Sequence, residues 1–525
     1  MGIAIENGTI VDGTGRPAFV GDVVVEGDRI VDVVRRAGLS PRPAVRPAAS
    51  SAAVLDATGC LVTPGFIDAH AHSDAYLVLE PGAPSKISQG ITTEVNGQCG
   101  GSVAPRFGEA RLSSDWAALL GDRLTWRTLA DYRAVLSAAR PAINTVQFVG
   151  HNTLRSSVVG YAGRAATADE TRRMRFLLEQ ALDEGGWGLT TGLAYQPGRH
   201  STPAEVVSLA SAAAAKGGLY ATHMRSEGDS ILEAIDEALA LVRATGIRAE
   251  VSHLKTSGRK NWHKIDAVLE KMQAAVDAGL LLGSDRYPYC AAGTDLDVVL
   301  PDWAQEGAAR AECERLSDPE TRARIVREIN ASDRDWSSVA IGGTWSPGNR
   351  AFSGKTVAEL AGASTPGELV CEILAKDGCK TGAFFFGMSE ENLAKIYARP
   401  WIVPGSDASL RAPWGPLGAD HPHPRAYGTM PEFYRRVRAL GVSREETVAR
   451  MTSVPARRFG IRGRGVLEKG AFADIAVWNE AAFRSSATYD RPHQFAAGMV
   501  SVVVNGEVSF GPARTGRRAG RFLER

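Results

Sequence analysis

The fold is decided by the stretch Leu61-Val62-Thr63-Pro64-Gly65-Phe66-Ile67-Asp68-Ala69-His70-Ala71-His72, an apolar run that ends in two histidines. On a β-strand, residues i and i+2 point to the same face, so both imidazoles can reach one metal or one substrate from the end of the strand. A histidine pair on a polar strand face is the alternative interpretation. It is weakened because residue types that bind metals recur downstream at matching spacings.

The spacing of these residues indicates repeated strand–helix units. His70 and Cys99 are 29 residues apart, and His223 and His253 are 30 residues apart. A strand with its crossover helix takes roughly 30 residues. Short apolar runs that end in polar residues predict eight strands, at Thr63–His72, Ile91–Cys99, Asn144–His151, Gly188–Tyr195, Gly218–His223, Ala249–His253, Leu280–Asp285 and Trp401–Asp407. Helices are predicted between several of them, at Thr167–Glu184, Pro203–Lys216, Ser230–Thr245 and Lys264–Ala278.

This alternation predicts an α/β fold, a (β/α)8 TIM-like barrel with its chemistry at the C-terminal ends of the strands. Short strands recur at both ends of the chain, with turns expected at Asn7-Gly8 and Gly27-Asp28. They predict a small β-sandwich domain built from both termini, residues 1–62 plus 465–525, around a barrel at 63–464. An insertion at about 290–400 is too long for a βα loop and is expected to cap the active site.

Two local patterns complete this division. The Ala/Pro/Arg-rich stretch Arg36–Ala53 is expected to be an exposed loop. A capping box at Ser443 to Glu446 predicts a helix that runs to about Arg450.

Composition excludes several classes of protein. The chain has 525 residues and a net charge of +1, which gives no electrostatic footprint for nucleic acid or acidic membranes. No apolar run approaches the ~20 residues of a transmembrane helix, and no signal-peptide pattern is visible. The six cysteines have no framework spacing. We therefore expect a cytoplasmic protein without nucleic-acid or membrane partners.

Cys99, His223 and His253 are candidate metal ligands. A lone cysteine is usually a small core residue, and a nucleophilic cysteine is a further possibility. At the end of a barrel strand, one βα step from the His70/His72 pair, a thiolate ligand is favoured. His223 and His253 end consecutive strands, and each alone could be a buried, hydrogen-bonded histidine. Together, two histidines and one cysteine make a three-ligand zinc set with a fourth position open.

Polar residues at other strand ends are candidates for catalysis and substrate binding. Asp407 ends the last strand, and a carboxylate there can accept a proton from an attacking water and pass it to a leaving nitrogen. Its alternative is a helix N-cap or turn aspartate. Each of Tyr195, Lys255 and Arg425 alone could be a surface residue, but together they could hold a substrate carboxylate, with Arg425 able to bind it bidentately. His151 ends the third strand, and the sequence leaves open whether it contacts the substrate or contacts the residues that bind the metal and the substrate.

These motifs resemble a known family. Pro64–His72 looks like the amidohydrolase superfamily signature, and Gly465–Gly470 followed by Ala473–Ile475 is similar to its closing strands. More narrowly, the chain resembles the N-acyl-D-amino-acid deacylases (D-aminoacylases). The stretches that carry this likeness are Gly90–Thr93 leading to Cys99-Gly100, Gly192–Pro197, Ser252–Lys255, Tyr287–Tyr289, Gly405–Asp407 and Pro422–Thr429.

The resemblance implies hydrolysis of N-acyl-D-amino acids to a carboxylate and a free D-amino acid. It implies one tight Zn²⁺ and a weaker second metal position, the first held by Cys99, His223 and His253 and the second by His70 and His72. It implies Asp407 as the general acid/base. Tyr195, Lys255 and Arg425 would bind the α-carboxylate, although the stretch Ala408–Ala419 lengthens the gap before Arg425.

Two other functions compete with this hypothesis. A cyclic amidase such as a dihydroorotase or hydantoinase usually bridges two metals with a carboxylated lysine at the fourth strand end, where Leu189–Tyr195 contains no lysine. A non-catalytic scaffold of the same fold is disfavoured because every ligand type and the aspartate are present.

The loop Ala291–Leu300 predicts the substrate side chain. It carries two acids and no arginine or lysine, so a second substrate carboxylate would remain unpaired there. We therefore expect neutral, mainly apolar D-side chains. The alternative is that the loop faces solvent. If a D-glutamate derivative were preferred, Arg350 or Lys355 from the insertion would be the expected cation.

Overall fold

The computed structural model describes residues 2–36, 53–112 and 114–525. The expected exposed loop at Arg36–Ala53 therefore lies, except for its two end residues, outside the described part of the chain. The described residues form β1 (Gly2–Ile10), β2 (Phe19–Glu26), β3 (Arg29–Arg35), β4 (Ala53–Asp56), β5 (Leu61–Pro64), β6 (Phe66–Asp68), β7 (Ile91–Asn96), β8 (Asn144–Gln147), β9 (Val149–Gly150), β10 (Gly188–Gly192), β11 (Leu219–His223), β12 (Arg248–Val251), β13 (Leu282–Arg286), β14 (Ala292–Asp295), β15 (Val339–Ile341), β16 (Gly382–Phe385), β17 (Ile402–Pro404), β18 (Ile475–Trp478), β19 (Met499–Val504) and β20 (Glu507–Phe510).

The same residues form α1 (Tyr76–Leu79), α2 (Pro84–Ile87), α3 (Ser114–Leu120), α4 (Leu129–Ala139), α5 (His151–Val158), α6 (Ala168–Asp183), α7 (Pro203–Ala215), α8 (Ile231–Thr245), α9 (Ile265–Asp277), α10 (Ala308–Ser317), α11 (Pro319–Asn330), α12 (Val357–Ala361), α13 (Pro366–Asp377), α14 (Glu390–Tyr397), α15 (Arg425–Ala439), α16 (Arg444–Met451) and α17 (Ser453–Phe459). Short 3-10 helices lie between them at Gly121–Arg123, Gly198–His200, Arg259–Lys264, Leu296–Val299, Asp302–Ala304, Trp336–Ser338, Pro347–Phe352, Pro416–Gly418 and Glu480–Ala482.

Parallel strands close into a barrel. They pair in the orders β6-β7-β8 and β17-β13-β12-β11-β10-β9. Phe148, which separates β8 from β9, donates its N–H to the Asn96 carbonyl at 3.0 Å and keeps that strand attached to β7. The Ala69 N–H donates to the Pro404 carbonyl at 3.1 Å and joins β6 to β17. The predicted barrel of eight strand positions is therefore confirmed.

The first predicted strand is wrong in its extent. Residues 61–64 pair with β1 and β18 in a different sheet, and only Phe66–Asp68 belongs to the barrel. Gly65 separates the two, and a Cβ there would lie 2.2 Å from the Thr92 side chain. The apolar run is continuous because both sheets bury it, so hydrophobicity does not mark where the chain changes sheets. His70 and His72 consequently lie just beyond the end of β6.

Local signals define the helices well. Thr167 caps α6 with a reciprocal capping box to Glu170, and α8 ends at Gly246 in the left-handed conformation. Helices α6 to α9 and α16 agree with the predicted ranges to within about two residues. Among the described residues, no helix combines the length and the apolar composition that crossing a bilayer requires.

The two ends of the chain share one sheet. Its order is β20-β19-β18-β5-β1-β2-β3, with β4 paired to β1, and one apolar cluster joins Ile3 and Val23 to Ile475 and Val503. The two-layer sandwich stays a prediction, because hydrogen bonds connect all eight described strands in a single sheet. The turn expected at Asn7-Gly8 is wrong: β1 continues through it with a register shift.

The insertion between β13 and β17 has a core of its own. Its antiparallel sheet has the order β14-β16-β15, and helices α10 to α13 pack beside it. Leu296, Ile325, Val339, Val370 and Leu374 belong to one buried cluster. Residues from this unit, including Asp297, Glu312 and Phe385, line a cavity that also contains the barrel strand ends.

Candidate active site

Three non-glycine residues at the barrel mouth have left-handed backbones. Cys99, His253 and Asp407 have φ values of 52°, 37° and 50°. Such a conformation costs on the order of 1–3 kcal/mol per residue and persists where the surrounding structure enforces it. The strain therefore coincides with three residues that the sequence singles out for chemistry.

Four side chains converge at the strand ends. The Cys99 Sγ lies 3.3 Å from both His70 Nε2 and His253 Nε2, and Asp407 Oδ1 lies 3.4 Å from His70 Nε2. One ligand atom from each of these residues lies within 4.8 Å of the others. Thiolate, imidazole and carboxylate are the groups that hold divalent transition metals in proteins, so this donor set fits a metal ion.

A second ligand group adjoins the first. His223 Nδ1 lies 3.0 Å from His253 Nε2, and His223, Glu227 and His253 form a further set within 4.8 Å. His72 Nε2 lies 3.1 Å from Asp407 Oδ1. The structure thus brings all five predicted ligands together, but it groups His70 with Cys99 and His253. The division into a tight set and a weaker pair stays a prediction.

The electrostatics of the cluster favour a thiolate and a carboxylate. Burial alone would raise the pKa of the Cys99 thiol, but His70 and His253 outweigh burial and hold the pKa well below its usual value. Burial also works against the charged form of Asp407, yet Arg425 and His253 keep the pKa of its carboxyl well below normal. Both groups are therefore held as anions, which is the form that binds a metal or accepts a proton.

The imidazoles carry the balancing charge. Burial and Lys255 would lower the pKa of His253, but Glu227 and Cys99 raise it to about 10. Burial opposes the charged form of His72 as well, and Asp407 and Cys99 raise its pKa to about 9. Because metal ligation needs neutral imidazole, metal binding at this cluster would release protons.

The predicted carboxylate-binding residues surround the same point. Arg425 donates from Nη1 to Asp407 Oδ2 at 2.7 Å and from Nη2 to the Gly293 carbonyl at 3.0 Å. Lys255 Nζ lies 2.9 Å from His253 Nδ1. The Tyr195 ring lies 4.6 Å from the His223 ring, centroid to centroid. Arg425, Lys255 and Tyr195 all line the cavity.

His151 lies elsewhere. It begins α5, its side chain is fully buried, and its Nε2 is 2.9 Å from Glu205 Oε1, which Arg155 also contacts. It is absent from the described residues that line the cavity. The geometry therefore gives no support to His151 as a substrate contact, because its ring faces a buried ion pair between helices.

The sequence reasoning missed two acidic residues that support the ligands. Asp285 Oδ2 lies 3.2 Å from His70 Nδ1, and Asp285 Oδ1 accepts the His253 N–H at 3.0 Å. Glu227 Oε1 lies 2.9 Å from His253 Nδ1 and 2.5 Å from Lys255 Nζ. Asp285 ends the seventh predicted strand, so its position carried a signal. Glu227 lies in a loop and carried none.

A buried lysine beneath the site was also missed. Lys86 Nζ donates to Asp68 Oδ2 at 2.9 Å, lies 2.8 Å from Glu94 Oε1 and donates to the Ala408 carbonyl at 2.9 Å. Ser406 joins the same network. These contacts fix the segments that carry His70 and Asp407. These contacts link distant parts of the chain, so no local sequence pattern predicts them.

Comparison with known proteins identifies the family. The model of the amidohydrolase family matches residues 53–510. The chain belongs to the amidohydrolase family. This amidohydrolase is therefore a member of the family that its strand-end motifs predict, and the prediction of a hydrolase is confirmed with it.

Full-length relatives of this amidohydrolase come from Alcaligenes xylosoxydans xylosoxydans. An N-acyl-D-glutamate deacylase is 36% identical, a D-aminoacylase 34% and an N-acyl-D-aspartate deacylase 33%. The alignments cover 100%, 100% and 99% of this chain and 97%, 97% and 94% of those proteins. The predicted membership among N-acyl-D-amino-acid deacylases is confirmed at this level.

Solved structures agree with the sequence relatives. The N-acyl-D-glutamate deacylase of Bordetella bronchiseptica, complexed with zinc and a phosphonate inhibitor, has a TM-score of 0.81 and 33% identity over 100% of this chain and 99% of that one. A D-aminoacylase with a binuclear metal centre, activated by one metal and attenuated by the second, gives the same values. A D-hydantoinase at 15% identity, with a TM-score of 0.56, shows the shared fold alone.

Proposed function

We propose that this amidohydrolase uses Zn²⁺ to hydrolyse the amide bond of N-acyl-D-amino acids, releasing a carboxylate and a D-amino acid. The observation that carries the proposal is the Cys99 thiol between His70 and His253, 3.3 Å from each ring. A thiolate at this strand end distinguishes the site from the lysine-bridged centre of cyclic amidases. The full-length likeness to three deacylases supports the same reaction.

Asp407 is proposed as the general acid/base. A bound zinc ion would lower the pKa of a water ligand and polarise the acyl carbonyl. Asp407 lies between His72 and Arg425 and is held as a carboxylate, so it can take the proton of the attacking water. The protonated carboxyl then donates to the leaving nitrogen, which balances the proton over the reaction. The hydrogen bond from Arg425 Nη1 to Oδ2 holds the Asp407 side chain in place for both steps.

The substrate α-carboxylate is proposed to bind beside the metal ligands. Arg425 lines the cavity, so its guanidinium is proposed to donate to a substrate oxygen. Lys255 adds a positive charge, and the Tyr195 hydroxyl, which hydrogen-bonds with Thr294, adds a further polar group. Arg425 stacks 4.6 Å from the centroid of the Tyr287 ring, which limits its movement.

The loop at residues 291–300 supports the proposed preference for neutral, mainly apolar D-side chains. Thr294, Asp295, Asp297 and Val298 from this loop line the cavity. Burial and the neighbouring Glu312 raise the pKa of Asp297, so this wall already disfavours negative charge. Arg350 and Lys355 do not belong to the described cavity lining, whereas other cations such as Arg334 do. The three relatives are named for different substrates but are nearly equally identical to this chain. Sequence identity therefore does not decide which substrate side chain is preferred.

A substrate panel tests this proposal. The kcat/KM for N-acetyl-D-leucine should exceed that for N-acetyl-D-glutamate, and N-acetyl-L-leucine and hydantoin should be hydrolysed at background rates. A higher kcat/KM for the glutamate derivative would reject the proposed side-chain preference but would be consistent with the proposed deacylase activity. Hydrolysis of hydantoin without hydrolysis of any N-acyl-D-amino acid would reject the deacylase itself.

The domain limits also belong to this proposal. The predicted limit at residue 63 moves by about two residues, because residues 61–64 pair in the terminal sheet. We assign residues 65–464 to the catalytic barrel with its insertion, and residues 1–64 and 465–525 to the terminal domain. We still expect the enzyme to act in the cytoplasm on a small-molecule substrate, without nucleic-acid or membrane partners.

A further inference from the structure

The active-site cavity is larger than an N-acetyl amino acid needs. Its volume is about 1860 Å³, whereas pockets for drug-sized ligands measure about 300–1,000 Å³. The metal ligands and the groups proposed to hold the α-carboxylate occupy one part of it. The remaining part of the cavity is lined by residues that have no role in the proposed reaction.

The strand order places this unused part across the mouth from Lys255 and Tyr287. Lys255 and Arg425 follow β12 and β17, the sixth and eighth positions around the barrel, and Tyr287, which stacks on Arg425, follows β13 at the seventh. Tyr195 follows β10 at the fourth position. In a ring of eight strands, the loops after the second and third positions face those after the sixth and seventh. The segment after β7 and the segment after β9 and α5 therefore lie opposite Lys255 and Tyr287.

Those opposite segments, together with Tyr76 from the neighbouring segment after β6, carry an apolar surface. We call it the acyl wall and define it as Tyr76, Leu112, Trp116, Ala117, Leu124 and Tyr161, all of which line the cavity. Tyr76 and Trp116 pack edge to face with ring centroids 6.1 Å apart. Aromatic and aliphatic side chains at a concave surface bind apolar groups, because contact removes the apolar surface of the bound group from water.

The wall begins at the metal ligands. Tyr76 opens α1 just after His72, and the segment that contains Leu112 and Trp116 leaves the barrel just after Cys99. A linear substrate with its carboxylate at Arg425 and its scissile carbonyl beside Cys99 must therefore direct the rest of its acyl group toward the acyl wall. Trp262, Phe385, Phe386 and Met388 also line the cavity, but they follow β12 and β13, on the side of Lys255 and Tyr287, where the amino-acid part of the substrate is proposed to bind.

Two arginines accompany the wall. Arg106 donates from Nη2 to the Trp126 carbonyl at 2.8 Å, and the Arg111 guanidinium lies 5.7 Å from the Tyr161 ring centroid. Each thus has a partner within the protein. They make an acyl group with a terminal carboxylate, such as succinyl, the natural competitor to an apolar chain in any test.

We infer that the acyl wall selects N-acyl-D-amino acids with an extended aliphatic acyl group, of medium-chain length, over N-acetyl derivatives. The inference rests on the proposed deacylase function and adds the acyl class to it. Ala117 is exposed on α3 and lines the cavity, whereas its neighbour Ala118 is exposed and outside the described lining. The two alanines therefore provide a matched pair for substitution.

An acyl-length series on the zinc-loaded enzyme tests the inference. With D-leucine constant, kcat/KM should rise from N-acetyl through N-butanoyl and N-hexanoyl to N-octanoyl, by roughly two- to fourfold per added methylene until the wall is covered. Equal kcat/KM values across the series, or the highest kcat/KM for the N-acetyl derivative, would overturn the inference about the acyl group but not the proposed deacylase function. A value for N-succinyl above N-hexanoyl would also overturn it, in favour of Arg106 and Arg111. Failure to hydrolyse any member would instead refute the proposed function, and the inference with it.

The matched variants locate the effect. Ala117→Glu should lower the ratio of N-octanoyl to N-acetyl kcat/KM by roughly tenfold, because a carboxylate on the wall would have to be desolvated beside the chain. Ala118→Glu, one residue along the same helix, should leave the ratio unchanged. Because the readout is a ratio within each variant, a general loss of folded enzyme does not imitate it. Equal ratios in the two variants would contradict the role of the wall.

Discussion

The lower and upper parts of the cavity differ in how deeply their residues are buried and in how many of them pair with one another. At the strand ends, His70 lies between Asp285 and Cys99, Asp407 lies between His72 and Arg425, and these groups are largely buried. The upper walls come from the long segment after β7 and from the insertion, and they include exposed residues such as Ala117 and Asp295. We propose from this difference that the strand ends carry the reaction and that the upper walls select the substrate.

The largest effect is expected at the strand ends. Cys99→Ala should abolish both metal binding and turnover, because no neighbouring side chain supplies the charge and softness of the thiolate. Metal analysis and hydrolysis of N-acetyl-D-leucine measure the two effects. Cys60→Ala, in the terminal sheet, is the matched control and should retain both. A Cys99→Ala enzyme with stoichiometric zinc and near-normal turnover would show that Cys99 only packs.

Asp407→Asn should separate chemistry from metal binding. The amide is nearly isosteric but cannot accept the proton, and positioned acid–base catalysis contributes on the order of 10²–10⁴-fold. We expect kcat to fall by that factor with zinc content near the wild-type value. Asp183→Asn, at an exposed site on α6, should change neither. Loss of zinc together with activity would instead make Asp407 a required ligand, as its closeness to His70 allows.

Asp285→Asn tests how much the support behind the ligands contributes. Asp285 contacts the His70 ring and the His253 backbone, and removal of such an outer partner costs about 10- to 100-fold in metal affinity or activity. A competition titration with a zinc chelator should show weaker binding, and excess zinc should restore part of the activity. Unchanged zinc affinity would mean that the barrel backbone alone orients both histidines.

The smallest effect is expected for Arg425→Lys. Lysine keeps the charge but loses the planar fork that can bind a carboxylate bidentately. We expect kcat/KM to fall about tenfold, mainly through a higher KM, since a hydrogen bond to a charged group contributes about 1.5–3 kcal/mol. Steady-state kinetics with N-acetyl-D-leucine distinguish the two parameters. A lower kcat at constant KM would assign Arg425 to positioning Asp407 rather than to binding substrate.

The same contrast explains what the sequence could predict. His70, Cys99, His223, His253 and Asp407 were predictable because each follows a barrel strand, and parallel strands bring their C-terminal ends together. The helix ranges were predictable because capping residues and glycines mark them locally, as Thr167 does for α6.

Features that depend on distant partners were not predictable. Lys86 reaches Asp68, Glu94 and Ala408 from a short helix, and nothing in its local sequence indicates a buried cation. His151 follows the pattern of a strand-end ligand, yet Glu205 on α7 pairs with it away from the cavity. The change of sheet at Gly65 was hidden because both neighbouring segments are apolar.

Metal depletion and reconstitution test the central claim most directly. Chelator-treated protein should lose hydrolysis of N-acetyl-D-leucine, and added Zn²⁺ should restore it as the Cys99–His253 site fills, with the Cys99→Ala variant unresponsive. Full activity in metal-free protein, or zinc-loaded protein that hydrolyses no N-acyl-D-amino acid, would contradict the account.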